Sequence, residues 1–400
     1  MLKQGRHIRE RELGKKGFLR SAMLYYTLII ILVSAHSCVD PYVAKVDDEP
    51  ELISIEGSLI KGNAEQFVAV SKTVSLDYPS FIAVRGCLVS IIDDQENEFA
   101  YKERNDGTYS ATFSDEQLVI GRGYKLRVLS SEAVLYESEY ETLNGGVEVD
   151  SFYYDIEDGV DQTSGAAFTG TQFYVDVKAT ENESRYFRWK LEETYEYTSN
   201  GPISYYYESA SLIPVEPYDP FAVYRCWKSA DVSGIFISNT MNLTSNEKKK
   251  IPLNYVSNQT ERLRIKYGLL LNQYTLNEGA YQYFEQNEIA TQQSDGLYTR
   301  QPQQPMTNIY NVDDAGERVL GFFWVTTKTT KRIFVPAIDG MEVKPEYCPL
   351  GEFNAMEDGE GPFPIYIYFN PGDGKRYTST FYCFDCTKRG GTNVAPDFWE

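Results

Sequence analysis

Short runs in which apolar and polar side chains take turns recur along the chain, and few stretches hold a helical period over twelve residues. Phe67 to Val74, Phe173 to Ala179 and Arg185 to Glu192 place apolar side chains at alternate positions, the period of a strand with one buried face. Leu52 to Gly57, Ala83 to Ile92, Gly121 to Val128, Tyr136 to Tyr140, Ile235 to Ser238, Leu263 to Tyr267, Val319 to Val325 and Lys331 to Val335 extend the set. Turns punctuate it, at Asp93-Asp94 and at Asn105-Asp106-Gly107, where Asp-Gly supplies the positive φ of a tight hairpin. One helix is expected. Thr275 and Glu278 have the spacing of a capping box, and Leu276, Ala280, Tyr283, Phe284 and Asn287 follow at helical spacing. The Gln- and Pro-rich stretch from Gln292 to Pro305 reads as a covering loop. The fold class is therefore all-β with one inserted helix.

The pattern differs at the N-terminus. Seven basic residues lie between Lys3 and Arg20, an apolar run follows from Met23 to Val33, and Ser34-Ala35-His36-Ser37 leads to Cys38. A basic head, a short apolar core and small residues before a cut describe a secretory signal. A Cys directly after the cut is the mark of a bacterial lipoprotein, acylated on that thiol. The expected organisation is a lipoprotein signal peptide over 1–37 and an acidic tether over 38–51. A β-sandwich domain over 52–146 follows, then a larger β-rich domain over 147–400. The sandwich spacing, with Asp106-Gly107-Thr108-Tyr109 and then Gly121 to Val128, resembles transthyretin-like or carboxypeptidase-regulatory-like modules. Acidic residues behind the lipidated Cys resemble a tag for export to the cell surface.

Composition sharpens this picture. Removing the signal takes 7 of 38 basic and 2 of 58 acidic residues, leaving a net charge of -25. Such a surface repels nucleic acid and anionic lipid. The 32 Tyr and 21 Phe suit pleated strand faces. Both histidines, His7 and His36, lie in the segment expected to be removed, so the mature chain has no imidazole for base catalysis or metal ligation. No phosphate loop and no Gly-x-Ser-x-Gly elbow occurs.

Six cysteines remain to be placed. In an exported chain they read as disulfides before zinc ligands. Cys38 is the lipid-attachment residue, and Cys87, in an apolar strand, is expected as a buried free thiol. Cys226, Cys348, Cys383 and Cys386 then form two structural bridges, in any of three pairings. Neighbouring carboxylates at Asp93-Asp94, Glu192-Glu193 and Asp313-Asp314 are no more than so acidic a chain throws up by chance. The acidic stretches Asp155 to Asp161 and Glu357 to Gly361 read as solvated turns, since neither has the spacing of a calcium loop. No cofactor and no metal are expected. The C-terminal Phe398-Trp399 pair is expected to dock onto the second domain and pin the tail.

Several motifs together resemble a catalogued family. They are Cys38-Val39-Asp40-Pro41, Ile55-Glu56-Gly57, Tyr224-Arg225-Cys226-Trp227, Glu261-Arg262-Leu263, Asn272 to Leu276, and above all Cys383 to Thr387, Arg389-Gly390-Gly391 and Pro396 to Trp399. They resemble the Bacteroidota outer-membrane lipoproteins grouped as domain of unknown function 4249, often encoded beside TonB-dependent receptors. The resemblance implies a non-catalytic, lipid-anchored protein, expected to be exposed at the cell surface, that partners such a transporter in nutrient uptake. A structural surface lipoprotein or adhesin is the alternative. A glycan-acting hydrolase working with carboxylates alone is the weaker one.

Overall fold

The alternation seen in the sequence becomes a β-rich body whose organising element is one large sheet. The computed structural model describes residues 51–73, 82–104, 107–160, 165–215, 221–293, 305–355, 358 and 364–399. The expected signal, the tether as far as Pro50 with Cys38, and most of the loop from Gln292 to Pro305 lie outside the described residues. The large sheet runs in the order Arg225–Asp231, Tyr186–Thr198, Lys266–Leu276, Phe323–Pro336, Ile53–Lys61, Glu65–Lys72, Thr108–Thr112, Lys102–Glu103. Its centre joins distant parts of the chain. Ile53–Lys61 pairs parallel with Phe323–Pro336, Gly57 opposite Phe323. Gly321 makes this approach possible. It has φ 90°, and a Cβ there would sit 2.0 Å from the Ile55 carbonyl oxygen, so only glycine fits.

Odd-numbered side chains of the long strands point to one face, and two smaller sheets cover it side by side. Ile55, Leu59, Phe323 and Val325 pack with Val89, Ile91, Tyr124, Leu126 and Val128, which come from a six-stranded sheet built on Leu88–Asp93 and Gly123–Leu129. Phe187, Trp189, Leu191, Leu269 and Leu271 pack with Phe173, Val175 and Val256, from the three-stranded sheet Ser151–Val160, Ala167–Lys178, Glu247–Ser257. The stretch Leu143 to Val147 passes between the two cores and is stitched to the large sheet. Thr327 Oγ1 donates to Asn144 O (2.6 Å), Thr275 Oγ1 to Gly145 O (3.0 Å) and Gln273 Nε2 to Val147 O (2.7 Å). Gln273 also accepts from the buried Trp189 indole at 2.9 Å. Each of these linker carbonyls thus has a partner, and burial costs it little.

Two local expectations are corrected. Thr275 does not cap the helix: it belongs to Lys266–Leu276, and the helix is Glu278–Gln293. Asn277 takes the capping place, its carbonyl accepting from Tyr281 N. The strand continues through Thr275 because its hydroxyl is used on the linker. The acidic stretch after Asp155 is not a turn. Ser151–Val160 is a strand paired along its whole length with Ala167–Lys178, Asp155 opposite Gln172 and Gly159 opposite Phe168. Continuous pairing with Ala167–Lys178 outweighs the weak β preference of Asp, Glu and Gly.

Candidate functional site

The face of the large sheet turned away from both cores carries the even-numbered side chains of Tyr186–Thr198, Lys266–Leu276, Phe323–Pro336 and Ile53–Lys61. The helix Glu278–Gln293 covers one end of it. Ala280, Tyr281 and Phe284 pack there with Tyr274, Leu276 and Phe322. The C-terminal tail covers the other end. Trp399 meets Phe334 edge-on at 5.3 Å and donates its indole N–H to Glu196 Oε2 at 3.1 Å. The Arg332 guanidinium lies 3.5 Å from the centre of the Phe398 ring. The terminal aromatic pair is therefore docked, half-buried, on the second half of the chain.

At the helix end, Arg188 enters the seam between helix and sheet. Its guanidinium sits 3.9 Å from the Phe284 ring centre and 5.3 Å from that of Trp324. Trp324 stands edge-on to both Tyr274 (5.6 Å) and Phe284 (5.3 Å). Among the described residues no carboxylate pairs with Arg188, and its buried Nε has no hydrogen-bond partner. Burial pushes the guanidinium below its ordinary range, and Tyr274 and Tyr283 oppose that only in part.

The expected bridge cysteines lie at the tail's root. Cys226 is bonded to Cys386 and Cys348 to Cys383, while Cys87 is buried and free. The first bridge holds the tail against the edge strand Arg225–Asp231. Tyr197 OH donates to Cys386 O at 2.6 Å, and Trp227 and Thr392 exchange backbone hydrogen bonds. That covers an edge that would otherwise template pairing with another chain. The second bridge joins the tail to the segment leading into Gly351–Glu352, an edge strand of a small sheet with Ser211–Pro214, Tyr205–Glu208, Ile365–Asn370 and Lys375–Thr378. Register aligns Ile213, Tyr206 and Tyr366 across it. Ile213, Phe369, Phe381 and Tyr382 are exposed.

A depression of about 310 Å3 lies beside the helix N-terminus, with Ser238, Asn239 and Tyr281 in its wall and Asn242 and Lys248 at its rim. Lys248 Nζ donates to Ser238 Oγ at 2.7 Å and Asn239 Nδ2 to Tyr281 OH at 2.9 Å, so its wall groups already satisfy one another.

The neighbouring carboxylates are tied into the fold. Asp93, fully buried, accepts from Gln95 N, Asn97 N and Arg122 Nη1 at 2.9–3.0 Å. Burial alone would raise its pKa, but these donors outweigh it and hold the carboxyl below the usual range. Glu192 and Glu193 point to opposite faces of a strand, and Glu193 accepts from Tyr267 OH at 2.9 Å. Asp313 and Asp314 stand on a turn held by the Asn311 side chain. Among the described residues, no three His, Cys, Asp or Glu side chains are placed to hold a metal ion.

Sequence reasoning missed the Arg188 seam. The outward Arg in Tyr186-Phe187-Arg188-Trp189 was visible, but its aromatic partners lie at 274, 283, 284 and 324, with nothing local to link them. No curated protein gives a significant match to the chain. Residues 39–332 match the family model described as "Domain of unknown function (DUF4249)", and the chain belongs to that family.

Proposed function

We propose that this chain is an outer-membrane lipoprotein, acylated on Cys38 and exposed at the cell surface. In this reading it performs no catalysis, and serves as an accessory or ligand-capturing partner of a TonB-dependent transporter in nutrient uptake. The observation that carries the reading is the pair of disulfides that root the tail. Bridges of this kind persist in oxidising, extracytoplasmic compartments. That agrees with a basic head, apolar run and Cys38 at the N-terminus, and with a family match that starts at residue 39. The six-stranded sheet and the adjoining part of the large sheet are read as a transthyretin-like or carboxypeptidase-regulatory-like sandwich, used as a spacer or binding module. The exposed apolar and aromatic side chains of the small disulfide-anchored sheet suit contact with another protein.

The test is affinity isolation of the full-length chain from detergent-solubilised outer membrane, with Cys38→Ala alongside. The parent is expected in the membrane fraction, labelled by fatty acid and enriched with a TonB-dependent transporter; Cys38→Ala is expected in the soluble fraction. A variant that stays labelled and membrane-bound, or a parent that brings down no transporter, contradicts the reading.

A further inference from the structure

A guanidinium has five N–H donors and one fixed charge. Withdrawing it from water without a counter-ion is unfavourable, and stacking on aromatic rings returns only part of that. Arg188 is in this position. It lies between Phe284 and Trp324, its Nε is buried without a partner, and no carboxylate of the described chain pairs with it, although acidic residues outnumber basic ones 58 to 38. Arg332, half-buried on the same face, also has an Nη1 without a hydrogen-bond partner, but there the opposing charge of Glu192 lies near enough to favour the charged form. The surroundings of Arg188 are aromatic: Tyr274 and Trp324 from the sheet, Tyr283 and Phe284 from the helix. Trp324 and Tyr283 are only partly buried, so the seam opens to solvent.

We propose that this seam is a binding site for a small organic carboxylate with a planar or apolar body. Arg188 takes the carboxylate through its two-pronged face, and Trp324 and Tyr283 take the body. The site supplies a ligand class for the ligand-capturing role proposed above, and rests on that reading only for its use in uptake.

The experiment is calorimetric titration of the full-length protein in detergent, at constant ionic strength, with benzoate, benzamide and inorganic phosphate. It needs no receptor, so its failure leaves the transporter partnership standing. Benzoate is expected to bind saturably and to change Trp fluorescence. Benzamide, which has the ring without the charge, and phosphate, which has the charge without the ring, are expected to give no saturable signal. Arg188→Met is expected to weaken benzoate by about tenfold or more, the loss of a charge-assisted bond, while Arg332→Met leaves it unchanged. If Arg188→Met does not fold, Arg188→Lys decides, since it keeps the charge, loses the fork and is expected to weaken benzoate measurably. Equal binding of benzamide, phosphate binding in place of benzoate, no benzoate signal, or undiminished binding in the Arg188 variants each overturns the proposal.

Discussion

Arg188 and Trp189 are neighbours in one strand and face opposite sides of the large sheet. Trp189 is 1% exposed, among Phe187, Leu191 and the side chains of a second sheet, with its indole N–H on Gln273. Arg188 lies under a helix, against two rings, its Nε without a hydrogen-bond partner and no carboxylate of the described residues paired with it. The inner face has apolar contact across its width and a partner for the indole. The outer face is covered at its two ends, by the helix and by the tail, and combines aromatics with cations. The larger apolar cores thus lie on the inner face, while the outer face, under the helix, holds an arginine against aromatic rings with no carboxylate of the described residues paired to it.

That contrast can be broken from either side. The largest effect is expected inside. Trp189→Ala removes a fully buried side chain and strands Gln273, and should lower unfolding free energy by about 3 to 5 kcal/mol in urea titrations. Opening the Cys226–Cys386 bridge with paired Ser substitutions comes next. It closes a loop of 160 residues, and chain entropy sets a ceiling of roughly 5 kcal/mol, with about 2 to 4 usual. Non-reduced peptide mapping should find 226 with 386 and 348 with 383. Deleting Asp397 to Glu400 should cost less, on the order of 1 to 3 kcal/mol, because Phe398 and Trp399 are only half-buried. A melting temperature unmoved by the deletion would mean that the docked tail contributes no stability.

The smallest effect concerns pH. Glu141 lies where the linker meets the helix start. Burial raises its pKa, and bonds from Asn277 and Asn308 only partly oppose that. Its folded form holds a proton more tightly than its unfolded form, so its contribution is fully present at acid pH and is lost as pH rises through the unfolded and then the folded pKa. Glu141→Gln should match the parent near pH 4 and gain on it by pH 7 in thermal melts.

Much of the fold was legible because burial acts on alternate residues. Tyr186 to Leu191 alternates between faces as its sequence indicates, Phe187, Trp189 and Leu191 inward. Docking of Phe398-Trp399 was legible too, since a terminal aromatic pair has little reason to stay in water. What was hidden depends on distant partners. The parallel pairing of Ile53–Lys61 with Phe323–Pro336 leaves no local trace, because either strand alone looks the same in any sheet. Thr275 fits a cap by spacing, yet its hydroxyl bonds Gly145, 130 residues away. The cysteine pairing was open for the same reason. The two cysteines three apart, Cys383 and Cys386, bond to different partners, 35 and 160 residues away along the chain.

The most direct test of the contrast is urea unfolding of Arg188→Met beside Trp189→Ala. If the outer-face arginine is held for recognition and not for stability, Arg188→Met stays within about 1 kcal/mol of the parent or exceeds it, since losing a cation–π contact is offset by losing an unpaired buried charge. Trp189→Ala, one residue away, loses about 3 to 5 kcal/mol. An Arg188→Met loss as large as that of Trp189→Ala would make Arg188 a structural post and contradict the division of labour between the two faces.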